Sequence, residues 1–304
     1  MDYLLKALAL SERVRVYVTR TTEMTNDAIA KHDLWPSAAS VLGKTMTIGA
    51  IMGAMLKGEE ALTIKIDGNG PVGVVTVDAN AKCEVRGYVE SPHVHFSKQN
   101  KIDDVYTLGY NGYIDVIKDL KLKDLFTSSI PLETGDLAKD FTYYFTCSEQ
   151  VPSAISLGSS FDVDNRCTVC GGIIIQLLPN ALEEDIEFIE KRLDLLSNMS
   201  TLLTQYENLE EIIKLVFEED YVILEKVNVK FHCPCTKNNI TGIIMTLGQE
   251  QLQEILDTDK KAEVICHYCN THYTYDEDDL KELIHLIERK NKQWWKFLIT
   301  LKSY

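Results

Sequence analysis

Residues 62–89, LTIKIDGNGPVGVVTVDANAKCEVRGYV, carry the pattern that decides the fold. Leu62, Ile64 and Ile66 alternate with Thr63 and Lys65, a two-residue period that sets apolar side chains on one face of a strand. Asp67-Gly68-Asn69-Gly70 follows as a turn, residues 72–77 read as the next strand, and after a polar turn Glu84–Val89 reads as a third. Strands joined by short turns predict an antiparallel meander. No repeated strand–helix units occur that would build a parallel sheet.

Upstream, Val14, Val16 and Val18 oppose Arg13, Arg15 and Tyr17 in another strand. Trp35-Pro36-Ser37 opens a helix with proline in its first turn, and Ala38, Ala39, Gly43, Ala50 and Ala54 keep its surface lean enough for burial. Downstream, residues 113–117, 142–147 and 168–178 are further strand candidates. The most apolar stretch, 46–56, lies between Lys44 and Lys57 and falls short of the roughly 18 residues a membrane span needs. Gly49-x-x-x-Gly53 therefore reads as close packing in a core, and no membrane span is expected.

After Pro179, the pairs Asn180/Glu183 and Asn208/Glu211 have the spacing of helix caps. The first precedes a stripe of Leu182, Ile186, Ile189, Leu193 and Leu196, the second a stripe of Leu209, Ile212, Ile213, Val216 and Phe217. Residues 181–220 hold 12 acidic side chains against Lys191, Arg192 and Lys214, a charge of 3 − 12 = −9. Such a segment repels itself, and its apolar stripes must borrow burial from a neighbouring domain.

Length and charge fit this division. A chain of 304 residues exceeds one ordinary core, and its 45% hydrophobic and 25% charged residues exclude a disordered or collagen-like class. With 31 basic against 46 acidic residues, a net charge of −15 disfavours a nucleic-acid partner. Eight cysteines are too sparse for a secreted disulfide framework, and the N-terminus lacks a secretory pattern, so a reducing, cytoplasmic location is expected. The expected fold class is α+β. An antiparallel-sheet core domain with helices covers 1–178, an acidic helical linker 179–228, a small Cys₄ domain 229–288, and a basic amphipathic tail 289–304.

Four of the eight cysteines fall within 37 residues. Cys233-Pro234-Cys235 and Cys266-His267-Tyr268-Cys269 are a C-x-C and a C-x-x-C separated by 30 residues, two thiol arms of the kind that fill a tetrahedral zinc site. One Zn2+ per chain is expected on Cys233, Cys235, Cys266 and Cys269. Four sulfurs leave no position for a catalytic water, so spacing alone favours a structural staple and no enzyme activity is expected. His232, His267 and His272 lie nearby but are not needed as ligands. Cys167-Thr168-Val169-Cys170 is a second C-x-x-C within a strand-like run, where residues three apart face opposite sides. On that reading Cys167 and Cys170 are buried, inert thiols, as are Cys83 and Cys147.

The cysteine spacing is joined by Met1-Asp2-Tyr3-Leu4, Trp35-Pro36-Ser37, Gly53-Ala54-Met55-Leu56-Lys57-Gly58, Gly68-Asn69-Gly70-Pro71-Val72-Gly73 and Asp78-Ala79-Asn80-Ala81. Further on come Asp140-Phe141-Thr142-Tyr143-Tyr144, Ser148-Glu149-Gln150-Val151-Pro152-Ser153, Gly171-Gly172-Ile173-Ile174-Ile175-Gln176-Leu177 and Phe231-His232-Cys233-Pro234-Cys235. Together these resemble the redox-regulated heat-shock chaperones of about thirty-three kilodaltons, ATP-independent holdases of bacteria, over nearly the whole chain. The resemblance implies a zinc-bound, reduced, inactive form. It implies that oxidation pairs Cys233 with Cys235 and Cys266 with Cys269, releases zinc, unfolds the switch domain and linker, and exposes a surface that binds unfolding client proteins. It also implies a homodimer on activation.

Two departures from the family pattern stand out: cysteine at 167 and 170, and the tail beyond residue 290. A zinc ribbon that recruits nucleic acid through the basic tail, and a dithiol oxidoreductase working through Cys266 and Cys269, are the competing readings. The first meets the acidic charge of the chain; the second needs a low-pKa cysteine free of metal.

Overall fold

Two antiparallel strands open the chain, β1 (Tyr3–Ala9) and β2 (Val14–Arg20), followed by helices α1 (Thr22–His32) and α2 (Pro36–Gly53). The expected meander is β3 (Ala61–Asn69), β4 (Val75–Asn80) and β5 (Glu84–Val89). A short hairpin, β6 (Ser97–Lys98) and β7 (Lys101–Ile102), leads to α3 (Asp104–Leu108), β8 (Gly109–Asp119), β9 (Phe126–Pro131) and α4 (Leu137–Cys147). Then come β10 (Ser153–Phe161), β11 (Cys167–Leu177), α5 (Glu183–Glu190), a 3-10 turn at Leu193–Leu196, α6 (Met199–Gln205), α7 (Leu209–Phe217), β12 (Tyr221–Asn228) and β13 (Lys230–Phe231). This computed structural model describes residues 1–99 and 101–301, with side chains described through residue 289. It divides into two compact units, Met1–His232 and the residues from Cys233 onward.

In the first unit the strands form a five-stranded sheet ordered β10-β11-β2-β1-β12 and a six-stranded sheet ordered β13-β5-β4-β3-β8-β9. All of these pairings are antiparallel except β13 with β5. Helix α2 packs against strands of both sheets, so every residue of it except Lys44 is buried. Its buried hydroxyls find partners there: Thr45 and Thr47 donate to the carbonyls of Val41 and Gly43, and Ser40 Oγ lies 2.8 Å from Ser159 Oγ. Its small residues set the approach: a Cβ at Gly53 would lie 2.6 Å from the Asn80 carbonyl oxygen, and one at Gly49 would lie 2.9 Å from Val77.

The outer face of the five-stranded sheet is covered by the acidic segment. Val14, Val16 and Val18 join Leu5, Val169, Ile173 and Ile175 in one apolar cluster with Ile189, Leu196, Met199, Leu203, Leu209, Ile212, Ile213, Val216 and Phe217. The stripe of α7 is buried in full, and its N-cap Asn208 accepts from Glu210 N–H at 3.2 Å. Polar tethers add to this apolar contact. Arg13 holds Asp185, Arg20 Nη2 donates to the carbonyls of Leu203 and Tyr206 at 2.7 and 2.9 Å, and Leu209 N–H donates to Tyr3 Oη at 2.9 Å.

Three sequence expectations are corrected here. Residues 142–147 are helical: the β-branched and aromatic run Thr142-Tyr143-Tyr144-Phe145-Thr146 belongs to α4, which buries Leu137, Phe141, Tyr144 and Phe145 at helical spacing. Asp136 caps it, accepting from Ala138 and Lys139 N–H. The helix expected after Asn180 starts instead at Glu183, where Asp185 reaches back to Leu182 N–H at 2.8 Å, and it breaks before Leu193; Leu182 and Leu193 are exposed. The end of the stretch read as helical linker, Tyr221–Asn228, is strand β12, which completes the open edge of β1.

The second unit contains α8 (Lys237–Ile244), a 3-10 turn at Met245–Leu247, α9 (Gln249–Thr258), the hairpin β14 (Ala262–Ile265) and β15 (His272–Tyr275), and α10 (Glu277–Leu301). Among the described residues its core is Ile240, Ile244, Leu252, Tyr275, Leu280, Leu283 and Ile284. The basic side chains expected in the tail lie, from residue 290 onward, outside the described residues. No helix among the described residues is long and apolar enough to cross a membrane.

Candidate metal centre

Cys233 and Cys235 stand in the irregular stretch before α8, whose N-cap Thr236 accepts from Asn239 N–H at 3.2 Å. Cys266 and Cys269 occupy the turn between β14 and β15. That turn is tied by Cys269 N–H and Asn270 N–H donating to the Cys266 carbonyl at 3.3 and 2.8 Å, and by Cys266 N–H donating to the Thr271 carbonyl at 3.0 Å. Asn270 takes a left-handed φ of 52°, which asparagine tolerates better than most residues. The hairpin register, Ile265 opposite His272, brings both sulfurs of this arm to one end.

The four Sγ atoms all lie within 4.8 Å of one another. The contacts between arms are Cys233 to Cys266 at 3.8 Å and Cys235 to Cys269 at 3.2 Å. A tetrahedral zinc with sulfur ligands at about 2.3 Å has S···S edges of about 3.8 Å, a spacing that the Cys233–Cys266 approach matches and the Cys235–Cys269 approach falls somewhat short of, so the four thiols are close enough to hold one metal ion. Cys266 and Cys269 are buried and Cys233 and Cys235 half-buried. Around them, Tyr273 Oη donates to Cys235 Sγ at 3.1 Å and Thr271 Oγ1 lies 3.1 Å from Cys269 Sγ. Burial pushes the Cys235 thiol up to about 12, partly offset by Tyr273. Burial also raises Cys269, but Thr271 and Cys235 outweigh it and bring that thiol down to about 7. Sequence reading had found the four sulfurs but not Tyr273 or Thr271. His272 is occupied elsewhere, its Nδ1 2.7 Å from Glu263 Oε1.

The remaining cysteines differ from one another. Cys83 is a core thiol pushed up to about 11 by burial. Cys147, expected to be buried, is exposed at the end of α4. Cys167 and Cys170 were expected on opposite faces of a strand, and a β-bulge overturns this. Ser160 pairs with Val169 while Phe161 pairs with Cys167, so Thr168 is the extra residue and the two cysteines share a face.

A family model described as Hsp33 protein matches residues 2–276. This chain belongs to the Hsp33 family. Among its Hsp33 relatives, the 33 kDa chaperonin of Bacillus velezensis is 46% identical over 285 residues, covering 93% of this chain and 98% of that protein. The 33 kDa chaperonin of Bacillus subtilis is 44% identical over 285 residues, again 93% and 98%. The crystal structure of the Thermotoga maritima 33 kDa chaperonin, heat shock protein 33 homolog, superposes with a TM-score of 0.87 at 32% identity, covering 94% of this chain and 98% of that one.

Proposed function

We propose that this chain is an ATP-independent chaperone switched by thiol oxidation. The observation that carries it is the cluster of four sulfurs within 4.8 Å, in a chain of the Hsp33 family. Cys233, Cys235, Cys266 and Cys269 hold Zn2+ in the reduced form; bound there, the ion joins the two arms and keeps the sulfurs as thiolates. Peroxide or hypochlorite takes two electrons from each cysteine pair, forming the disulfides Cys233–Cys235 and Cys266–Cys269 and removing the metal's ligands.

The small cluster of buried residues described in the second unit leans on that cross-link, since structural zinc contributes on the order of 10 kcal/mol to such lobes. The acidic segment, already strained by its own charge, then leaves the five-stranded sheet. Its stripes and the valine face of β2 become the surface that captures unfolding proteins, and the activated chain dimerises. Cytoplasmic location follows from the need to keep four thiols reduced at rest.

A second reading is favoured by the 3.2 Å approach of Cys235 to Cys269. Disulfides between arms would staple the lobe closed, whereas disulfides within arms free one arm from the other. The test measures zinc release, thiol connectivity and suppression of client aggregation in parallel, before and after peroxide with mild heating. Within-arm disulfides that appear together with zinc release and aggregation suppression are expected. Suppression that rises while zinc stays bound and the four thiols stay reduced would sink the switch; cross-arm links with no rise in suppression would favour the second reading.

A further inference from the structure

The bulge at Thr168 places Cys167 and Cys170 together on the side of β11 that faces α1 and α2. Both are shut off from solvent, at 1% and 0% exposure. Cys170 lies at the N-terminus of α1: Thr21 N–H donates to its carbonyl at 2.8 Å, and its own N–H donates to Thr22 Oγ1 at 3.0 Å. Thr47 Oγ1 is 3.7 Å from its sulfur, and the missing side chain of Gly43 makes the space, since a Cβ there would sit 3.2 Å from that sulfur. The neighbouring Cys167, with the hydroxyls of Thr25, Thr21 and Thr47, brings the Cys170 thiol down to about 6 against burial, while Cys167 is pushed up. Asn26 clamps the backbone of Cys167 on both sides, accepting from its N–H at 3.0 Å and donating to its carbonyl at 2.8 Å.

We propose that Cys167 and Cys170 are a second oxidation site, a thiol pair in the core of the first unit that hydrogen peroxide closes to a disulfide independently of the four-cysteine cluster. Cys170 is the attacking sulfur: it takes one peroxide oxygen, the O–O bond breaks, and a sulfenic acid and one water form. The Cys167 sulfur then displaces the hydroxyl, the S–S bond forms, and a second water leaves. Two thiols give up two electrons and two protons, and one peroxide becomes two waters. A disulfide draws the two sulfurs to about 2 Å and so fits in the space that Gly43 leaves beside Cys170. Complete burial makes the reaction wait for local opening, so it runs behind the half-exposed cluster.

The test uses the full-length protein under native conditions. After peroxide, acid quenching and alkylation, trypsin cuts at Arg166 and Lys191, releasing one peptide that holds Cys167, Cys170 and no other cysteine. The expected product is this peptide unalkylated and about 2 Da lighter than its reduced form, reversible by a dithiol reductant. It is expected to appear at least about tenfold more slowly than the cluster disulfides. Asn26→Ala, which loosens the clamp without touching either sulfur, is expected to speed it several-fold. Zinc release measured in the same samples reports on the cluster alone and is expected to be unchanged in Cys167→Ser/Cys170→Ser. Two alkylated cysteines after the cluster is fully oxidised, stable oxygen adducts without the link, or zinc release that depends on Cys167 and Cys170 would each overturn the proposal.

Discussion

Arg13 and Asp185, 172 residues apart, form a two-pronged ion pair in which Nε and Nη2 donate to the two carboxylate oxygens at 2.6 and 2.7 Å. Asp185 is also the residue that caps α5 through Leu182 N–H. One carboxylate therefore starts the first helix of the acidic segment and fastens it to the beginning of β2.

Replacing Arg13 with Gln leaves the Asp185 carboxylate without its cation and is expected to weaken the attachment of this segment. The loss is expected to be local: amides of residues 183–217 should exchange faster with solvent while those of α2 do not change. If release of this segment is the activating step, the reduced variant also suppresses client aggregation before any oxidant is added. Unchanged exchange in 183–217 would show that the apolar face alone holds the segment.

Two carboxyl groups give opposite pH responses. Asp185 is held below the ordinary carboxylate range by the Arg13 hydrogen bonds, so near pH 4 the unfolded chain binds more protons there than the folded one. Its stabilisation is whole above about pH 4 and is lost as pH falls through the depressed folded value. Asp2 is raised to about 6 by burial, against hydrogen bonds from the backbone of Met24 and Glu23. Here the folded state holds the extra proton, so stability falls as pH rises from about 4 to 6, by at most about 3 kcal/mol. Asp2→Asn should flatten urea-unfolding stability over that window, and Asp185→Asn should lower it most at neutral pH; the reverse pattern would contradict both assignments.

Tyr273→Phe removes the hydroxyl that donates to Cys235 Sγ and nothing else. Loss of such an outer hydrogen bond typically costs a metal site 10-fold or more, so zinc affinity measured against a competing chelator should fall by about 10-fold. Helix content of the zinc-loaded protein should not change.

Alanine at two glycines is expected to act in opposite directions. At Gly53 the new methyl meets the Asn80 carbonyl at 2.6 Å and should destabilise the first unit by about 1–3 kcal/mol. Gly242, within α8, has nothing near it, and alanine there should stabilise the second unit by up to about 1 kcal/mol. Thermal melts of the two variants, followed separately for each unit, distinguish the effects.

The meander around residues 62–89 was legible because its alternation is imposed locally, one strand face at a time. Residues 142–147 misled for the same reason: side chains that suit strands outweighed a burial pattern running back to Leu137. Strand β12 was invisible because nothing in Tyr221–Asn228 announces that β1 has an open edge to fill. The bulge at Thr168 depends on the register of β10, set across a different hairpin, so a reading of β11 alone gave Cys167 and Cys170 the wrong relative orientation. At the candidate metal centre the sulfurs were plain from spacing, whereas Tyr273 reaches Cys235 only because β14 and β15 pair as they do.

Strand β12 also decides which main-chain groups the edge of its sheet offers. Laid along β1, it satisfies the main-chain donors and acceptors on that side and becomes the edge of the sheet, with Glu225 and Lys226 exposed beside Val222 and Leu224. Were it to follow α7 off the sheet, seven residues of β1 would present a bare row of amides and carbonyls, a template onto which any extended chain can zip, including another copy of itself. Covering β1 and gripping an unfolded strand would then be two states of a single sheet edge.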